Sequence, residues 1–163
     1  MSPDAATEAY PAEPVDRVRA IVSTVVDALG VEGDVEVTED DDRILANVDG
    51  EEVGLLIGRR GQTIDALQLL CYRAAFRGIN DRKRVQVDAA GYRERRRELL
   101  ESQADRAAQR ALESDKEIEL EPMSASERKV VHDHLLERSG VETFSEGEEP
   151  ERCVIVAPLV ASE

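Results

Sequence analysis

Leu55-Leu56-Ile57-Gly58-Arg59-Arg60-Gly61-Gln62-Thr63-Ile64 opens a stretch that runs on to Phe76, with Ile64, Leu67, Leu70, Cys71, Ala74 and Ala75 recurring at helical spacing. The pattern predicts helix, four-residue glycine-bounded loop, helix. Gly58 and Gly61 lack a β-carbon, so the turn can take positive φ and a ligand can approach the backbone closely. The amides opening the second helix have no intrahelical partner and lie at its positive dipole end, which suits a phosphate. Arg59 and Arg60 at the tip add forked cationic donors matched to phosphate oxygens.

The net charge of −15 argues against a nucleic-acid binder until it is divided along the chain. Residues 1–57 carry 3 basic and 15 acidic side chains, residues 58–97 carry 11 and 4, and residues 98–163 carry 7 and 17. The positive window starts at the glycine-bounded loop and takes in Arg73, Arg77, Arg82, Lys83, Arg84, Arg93, Arg95, Arg96 and Arg97. An acidic body around one basic stripe repels duplex nucleic acid generally and confines a polyanion to one track. Some of Arg93 to Arg97 simply form a solvated helix face.

Met1 to Glu13 has no periodicity and reads as a disordered tail. Pro14 suits a first helical turn; Val15, Val18, Val22, Val25, Val26 and Leu29 then share one face until Gly30 stops the helix. Val35 and Val37 alternate, an acidic turn Glu39 to Asp42 follows, and Ile44, Ala46 and Val48 alternate again, which predicts a hairpin with a solvated tip. Glu51 to Ile57 is expected to be the short helix entering the loop. Gly78 to Asp81 is a turn, and Val85 and Val87 mark a third strand. The order helix-strand-strand-helix-GxxG-helix-strand over residues 15–88 resembles the type II KH fold, whose GxxG loop clamps the backbone of about four single-stranded nucleotides. That resemblance implies an apolar groove between the two helices and an adjoining strand. Its RNA-binding set here is Ile57, Gly58, Arg59, Arg60, Gly61, Gln62 and Ile64.

Gly91 precedes a long helix from Tyr92 to about Ser114, whose apolar side is Leu99, Leu100, Ala104, Ala107, Ala108, Ala111 and Leu112. Glu117 to Glu121 alternates as a strand. Ser124 and Glu127 match a capping box at the start of a further helix that continues to Ser139-Gly140. Arg128 and His132 stand four apart and so share one face of it. An isolated pair of this kind would leave His132 contacting a neighbouring turn. The pair is followed, however, by Thr143 to Arg152, holding Ser145-Glu146-Gly147-Glu148-Glu149-Pro150-Glu151-Arg152, and by an apolar strand from Cys153. This succession resembles the bacterial Jag family, also called SpoIIIJ-associated or KhpB/EloR proteins, which join a KH domain to an R-3-H (Arg-x-x-x-His) domain. Many members carry a further N-terminal domain and linker, which this chain is expected to lack.

The resulting expectation is an α+β chain: a disordered tail over 1–13, a KH domain over 14–90, and a small α/β R-3-H domain over 91–160 that includes the long helix. The resemblance implies a cytoplasmic single-stranded RNA-binding protein, a post-transcriptional regulator linked to cell elongation and division. It also implies Arg128 and His132 as contacts to phosphate or base, and a small KH-domain protein as partner. With 3 Tyr and 2 Phe, aromatic stacking platforms are few, so sequence selectivity is expected to be modest. Two rivals are a protein-interaction module associated with membrane-insertion machinery and a single-stranded DNA binder. No catalytic motif is present, and no cofactor, metal, small-molecule substrate or membrane insertion is expected. Cys71 and Cys153, 82 positions apart without a CxxC, read as core thiols.

Overall fold

The computed structural model describes residues 11–159, so the tail expected over 1–13 lies outside it as far as Tyr10. Pro14–Leu29 forms α1, which buries Val18, Val22 and Val26 and ends at Gly30 in the left-handed region, φ 66°. Gly33–Glu39 (β1) and Arg43–Gly50 (β2) pair antiparallel from Gly33 opposite Gly50 to Glu39 opposite Ile44. The acidic tip between them is built by Asp40, whose carboxylate accepts the Asp42 and Arg43 N–H groups at 2.9 Å each. Those backbone bonds hold its pKa below the ordinary range. Lys83 Nζ donates to Glu39 Oε1 at 2.9 Å and to the Asp40 carbonyl at 2.7 Å, pinning the tip to the segment that enters the third strand.

Arg84–Ala89 (β3) pairs parallel with β2, so β2 is central in the order β1-β2-β3. Ile44, Ala46 and Val48 stand opposite Val85, Val87 and Ala89, and all six are buried on the face that the helices cover. Between β2 and β3 the chain forms Gly54–Ile57 (α2), a turn of 3-10 helix over Arg59–Gly61, and Gln62–Ala75 (α3). The entering helix is a single turn rather than the expected Glu51 to Ile57. Glu51 N–H bonds the Glu32 carbonyl at 3.0 Å and so continues the hairpin, and Glu52, at φ 57°, turns the chain before a helix can start. Leu56, fully buried, ties this short helix to the core.

α3 buries Ile64, Leu67, Cys71 and Ala75, a narrower stripe than its apolar residues suggest. Leu70, expected inside, is 60 % exposed. It sits one residue, about 100° of helix rotation, from Cys71 and clears the sheet. Burial pushes the Cys71 thiol pKa up to about 11, which suits an inert core group.

The chain divides into two compact units at Tyr92/Arg93. Tyr92–Ser114 is α4, and within the second unit it buries Leu100, Ala104, Ala107, Ala108 and Ala111, while Leu99 and Leu112 are exposed, against expectation. Alanines make up most of the seam, so neighbouring backbone can pack close and the flanking leucines fall outside it. Ile118–Glu119 (β4) is shorter than the expected Glu117 to Glu121. Ala125–Leu135 forms α5, followed by Val141–Glu146 (β5) and Cys153–Pro158 (β6). α5 ends before the expected stop at Ser139-Gly140, and Leu136 lies open to solvent. The sheet order is β4-β6-β5, antiparallel throughout, which makes β6 central; every residue from Cys153 to Ala157 is buried, and Val154 and Val156 join the core of this unit. The capping box forms as predicted: Ser124 Oγ accepts the Glu127 N–H at 3.3 Å, and Glu127 Oε2 accepts the Ser124 N–H at 3.0 Å.

The offset of the α3 stripe is checked by two leucines. Leu67→Ala should destabilise by about 2–5 kcal/mol, as for other buried leucines, while Leu70→Ala should stay within about 0.5 kcal/mol in a denaturation series.

Candidate nucleic-acid interface

Gly58 stands at φ 72°, ψ −176°, a conformation open in practice only to glycine, and Gly61 at φ 77°. Between them Arg60 is also left-handed, φ 52°. The positive φ expected of both glycines is present, and their missing β-carbons have a further reason that the sequence reading did not supply. A β-carbon on Gly58 would lie 2.1 Å from Thr63 Oγ1, and one on Gly61 would lie 2.8 Å from Tyr92 Cε1. Their bare sides face the protein's own side chains, so the loop's internal packing demands glycine.

α3 begins at Gln62, whose own N–H bonds the Arg59 carbonyl, and its N-cap Gly61 has no side chain to cap the amides that follow at the positive end of this 14-residue helix. Arg59 and Gln62 are exposed beside that end, and Arg60 is half-buried. These groups converge on one small surface, and their chemistry suits a phosphate. Ile57 is half-buried against the core, whereas Ile64 is fully buried in it, so Ile64 supports the loop from beneath instead of lining a surface. The strand adjoining α3 is the edge strand β3. Its outward Val87 N–H donates to Gln68 Oε1 at 3.0 Å, so a side chain from α3 covers part of that edge.

In the second unit, Arg128 and His132 lie on one face of α5, as their spacing predicts, but that face is turned into the protein. Arg128 is 8 % exposed; its Nη1 donates to the Met123 carbonyl at 2.8 Å and its Nη2 to Glu149 Oε1 at 2.6 Å. His132 Nδ1 bonds Thr143 Oγ1 at 2.7 Å and Nε2 bonds Ser145 Oγ at 3.0 Å. The pair therefore fastens α5 to the chain before it, to β5 and to the turn after β5. Burial first, then the nearby Arg128 charge, lowers the His132 pKa. Thr143, Ser145 and Glu149 went unrecognised as partners. The signal available was the alternation of Thr143 and Ser145 on one side of a strand.

The basic stripe is partly neutralised. Arg96 Nε donates to Glu127 Oε1 at 2.6 Å, both side chains largely buried, which adds a second role to the capping-box glutamate. Arg97 pairs with Glu94 and, at 2.8 Å, with Glu101. Among the described residues no group of three or more His, Cys, Asp or Glu is placed to hold a metal, and no helix is long and apolar enough to cross a membrane.

Removing Arg128 leaves a carbonyl in its buried surroundings without its partner. Arg128→Ala should cost about 1–3 kcal/mol and lower the melting temperature of this unit by about 5–15 °C. An unchanged melting temperature would refute the clamp. For His132, the unfolded chain binds its proton more readily than the folded one. The stability it contributes is present above its ordinary pKa of 6.5 and is lost as pH falls below that value. An NMR titration should place the His132 midpoint below 6.5, and a midpoint above it would contradict the burial argument.

Comparison with known proteins agrees with this architecture. A family model for the KhpA/KhpB KH domain matches residues 15–88, and one for the R-3-H domain matches residues 98–158. The protein named RNA-binding protein KhpB in Bacillus subtilis is 36 % identical over 147 residues, covering 89 % of this chain and 71 % of that protein. Its namesake in Clostridium symbiosum is 38 % identical over 144 residues, covering 87 % and 65 %. That of Streptococcus pneumoniae is 34 % identical over 139 residues, covering 85 % of this chain but only 42 % of its own length. With its two domains in that order and a relative matched over most of both lengths, the chain belongs to the KhpB family.

Proposed function

We propose that this protein binds single-stranded RNA without catalysing a reaction, and that the contact is made at the Gly58 to Gly61 loop. The observation that carries the reading is the positive end of α3, entered through two positive-φ glycines with no side-chain cap from Gly61 and with Arg59 exposed beside it. Phosphate oxygens would accept the α3 amides while Arg59 and Arg60 supply countercharge; the bases would lie along α3 toward the edge of β3. The relatives named RNA-binding protein support the choice of RNA. In this reading the protein acts in the cytoplasm as a post-transcriptional regulator tied to cell elongation and division. Arg128 and His132 contribute by holding the shape of the second unit.

A second reading, protein docking, has one observation in its favour. Leu69 and Leu70 are 55 % and 60 % exposed side by side on the outer face of α3, a surface that suits a small KH-domain partner. The two readings are compatible, because α3 would offer its N-terminus to RNA and its outer face to protein.

The decisive variant keeps the glycines, since changing them would disturb Thr63 and Tyr92. Aspartate tolerates the left-handed region that Arg60 occupies. Arg59→Asp/Arg60→Asp should therefore fold normally, lose single-stranded RNA binding, and retain association with a small KH-domain partner. Arg59→Ala/Arg60→Ala should weaken binding and flatten the log–log salt dependence by up to about 1.4, the share of two phosphate contacts on a single strand. Matched DNA run alongside tests the choice of nucleic acid. Wild-type affinity in the folded aspartate variant would refute the loop assignment.

A further inference from the structure

The geometry points to Tyr92 as the positioning residue of the phosphate-binding loop. It deepens the RNA-binding reading above and rests on it only for the ligand. Two side chains back the loop where its glycines have none: Thr63 behind Gly58 and Tyr92 behind Gly61. Thr63 belongs to α3 and moves with it. Tyr92 comes from further along the chain, as the first residue of α4, and its ring is partly buried against the same core as Ile57.

The route by which it arrives is itself unusual. β3 ends with the Ala90 N–H bonded to the Val48 carbonyl at 2.9 Å, after which Ala90 and Gly91 take φ 48° and 66° in succession. A left-handed alanine is costly and persists only where the surroundings over-determine it. Here the double turn swings the chain sharply from the strand and brings Tyr92 to Gly61. An ideal β-carbon on Gly61 would lie 2.8 Å from the ring's Cε1 and 3.0 Å from its hydroxyl oxygen, so the ring fills the space a side chain would need. The left-handed φ of Gly61 sets the direction of the first α3 amides, and the Tyr92 ring fixes the position of Gly61. Any displacement of the Tyr92 ring would be felt at the loop.

The test compares Tyr92→Leu, Tyr92→Phe and Gly61→Ala with wild type in the full chain, using loop amide resonances without ligand and affinity for a short mixed-sequence single-stranded RNA. Tyr92→Leu should shift the Gly58 and Gly61 amides and weaken RNA binding by about tenfold through lost preorganisation. Tyr92→Phe should restore both, because the ring provides the support. If Tyr92→Leu lowers the melting temperature while loop amides and affinity stay at wild-type values, Tyr92 is merely structural and the inference fails. Equal loss in Tyr92→Phe also overturns it. Should Tyr92→Leu not fold, Gly61→Ala decides: it should move the Tyr92 ring resonances, and unmoved resonances refute the contact. Loop shifts in Tyr92→Leu with no RNA binding by wild type would leave the positioning role intact and remove the RNA reading instead.

Discussion

Between Ile57 and Gln62 the chain must reverse from one helix into another within four residues, and it does so by placing Gly58, Arg60 and Gly61 in the left-handed half of backbone space. The rest of the first unit depends on that turn. It allows a single helical turn anchored by Leu56 to be followed at once by α3, which lays Ile64, Leu67, Cys71 and Ala75 on the sheet. It also enters α3 through a glycine, which offers no capping side chain to the amides of the first turn. The same backbone geometry thus closes the core and sets the positive end of α3 beside the loop, an environment that favours an anion.

Charge works on a longer scale. Both units carry an excess of acid, and much of the basic side-chain content of the second unit is spent internally: Arg96 on Glu127, Arg97 on Glu94 and Glu101, Arg128 on Glu149, Arg138 on Asp105. Exposed pairs among these contribute little to stability, but they remove cations that would otherwise attract polyanions anywhere on the surface. Attraction is thereby favoured where Arg59 and Arg60 lie beside the positive end of α3, at the loop. The proposed RNA contact at the loop is therefore compatible with a chain of net charge −15.

Much of the fold was legible because its signals are local. Gly30 stopped α1, the alternation around Glu39 to Asp42 gave the hairpin, and Ser124 with Glu127 gave the start of α5. The errors came where tertiary contact chooses among apolar residues. Leu70, Leu99 and Leu112 are as apolar as their neighbours, and only the width of the packed seam leaves them outside. The loop glycines and their positive φ were legible, yet the packing that also demands them was not, since Thr63 lies beyond the turn and Tyr92 about thirty residues on. Arg128 was legible as a partner of His132 in space but not as an interior group. An arginine carries no sequence mark of burial, and the Met123 carbonyl and Glu149 carboxylate that hold it are fixed by the path of the chain around α5.

In the proposed function labour is divided between the two motifs: the glycine-bounded loop meets RNA, and the Arg128/His132 pair holds its own unit together. Backbone amide shift mapping of the full chain with a short single-stranded RNA tests that division most directly. The largest changes should fall on Ile57 to Thr63, with Arg128, His132 and Thr143 little moved. Changes centred on α5 and β5 with a silent Gly58 to Gly61 loop would contradict it.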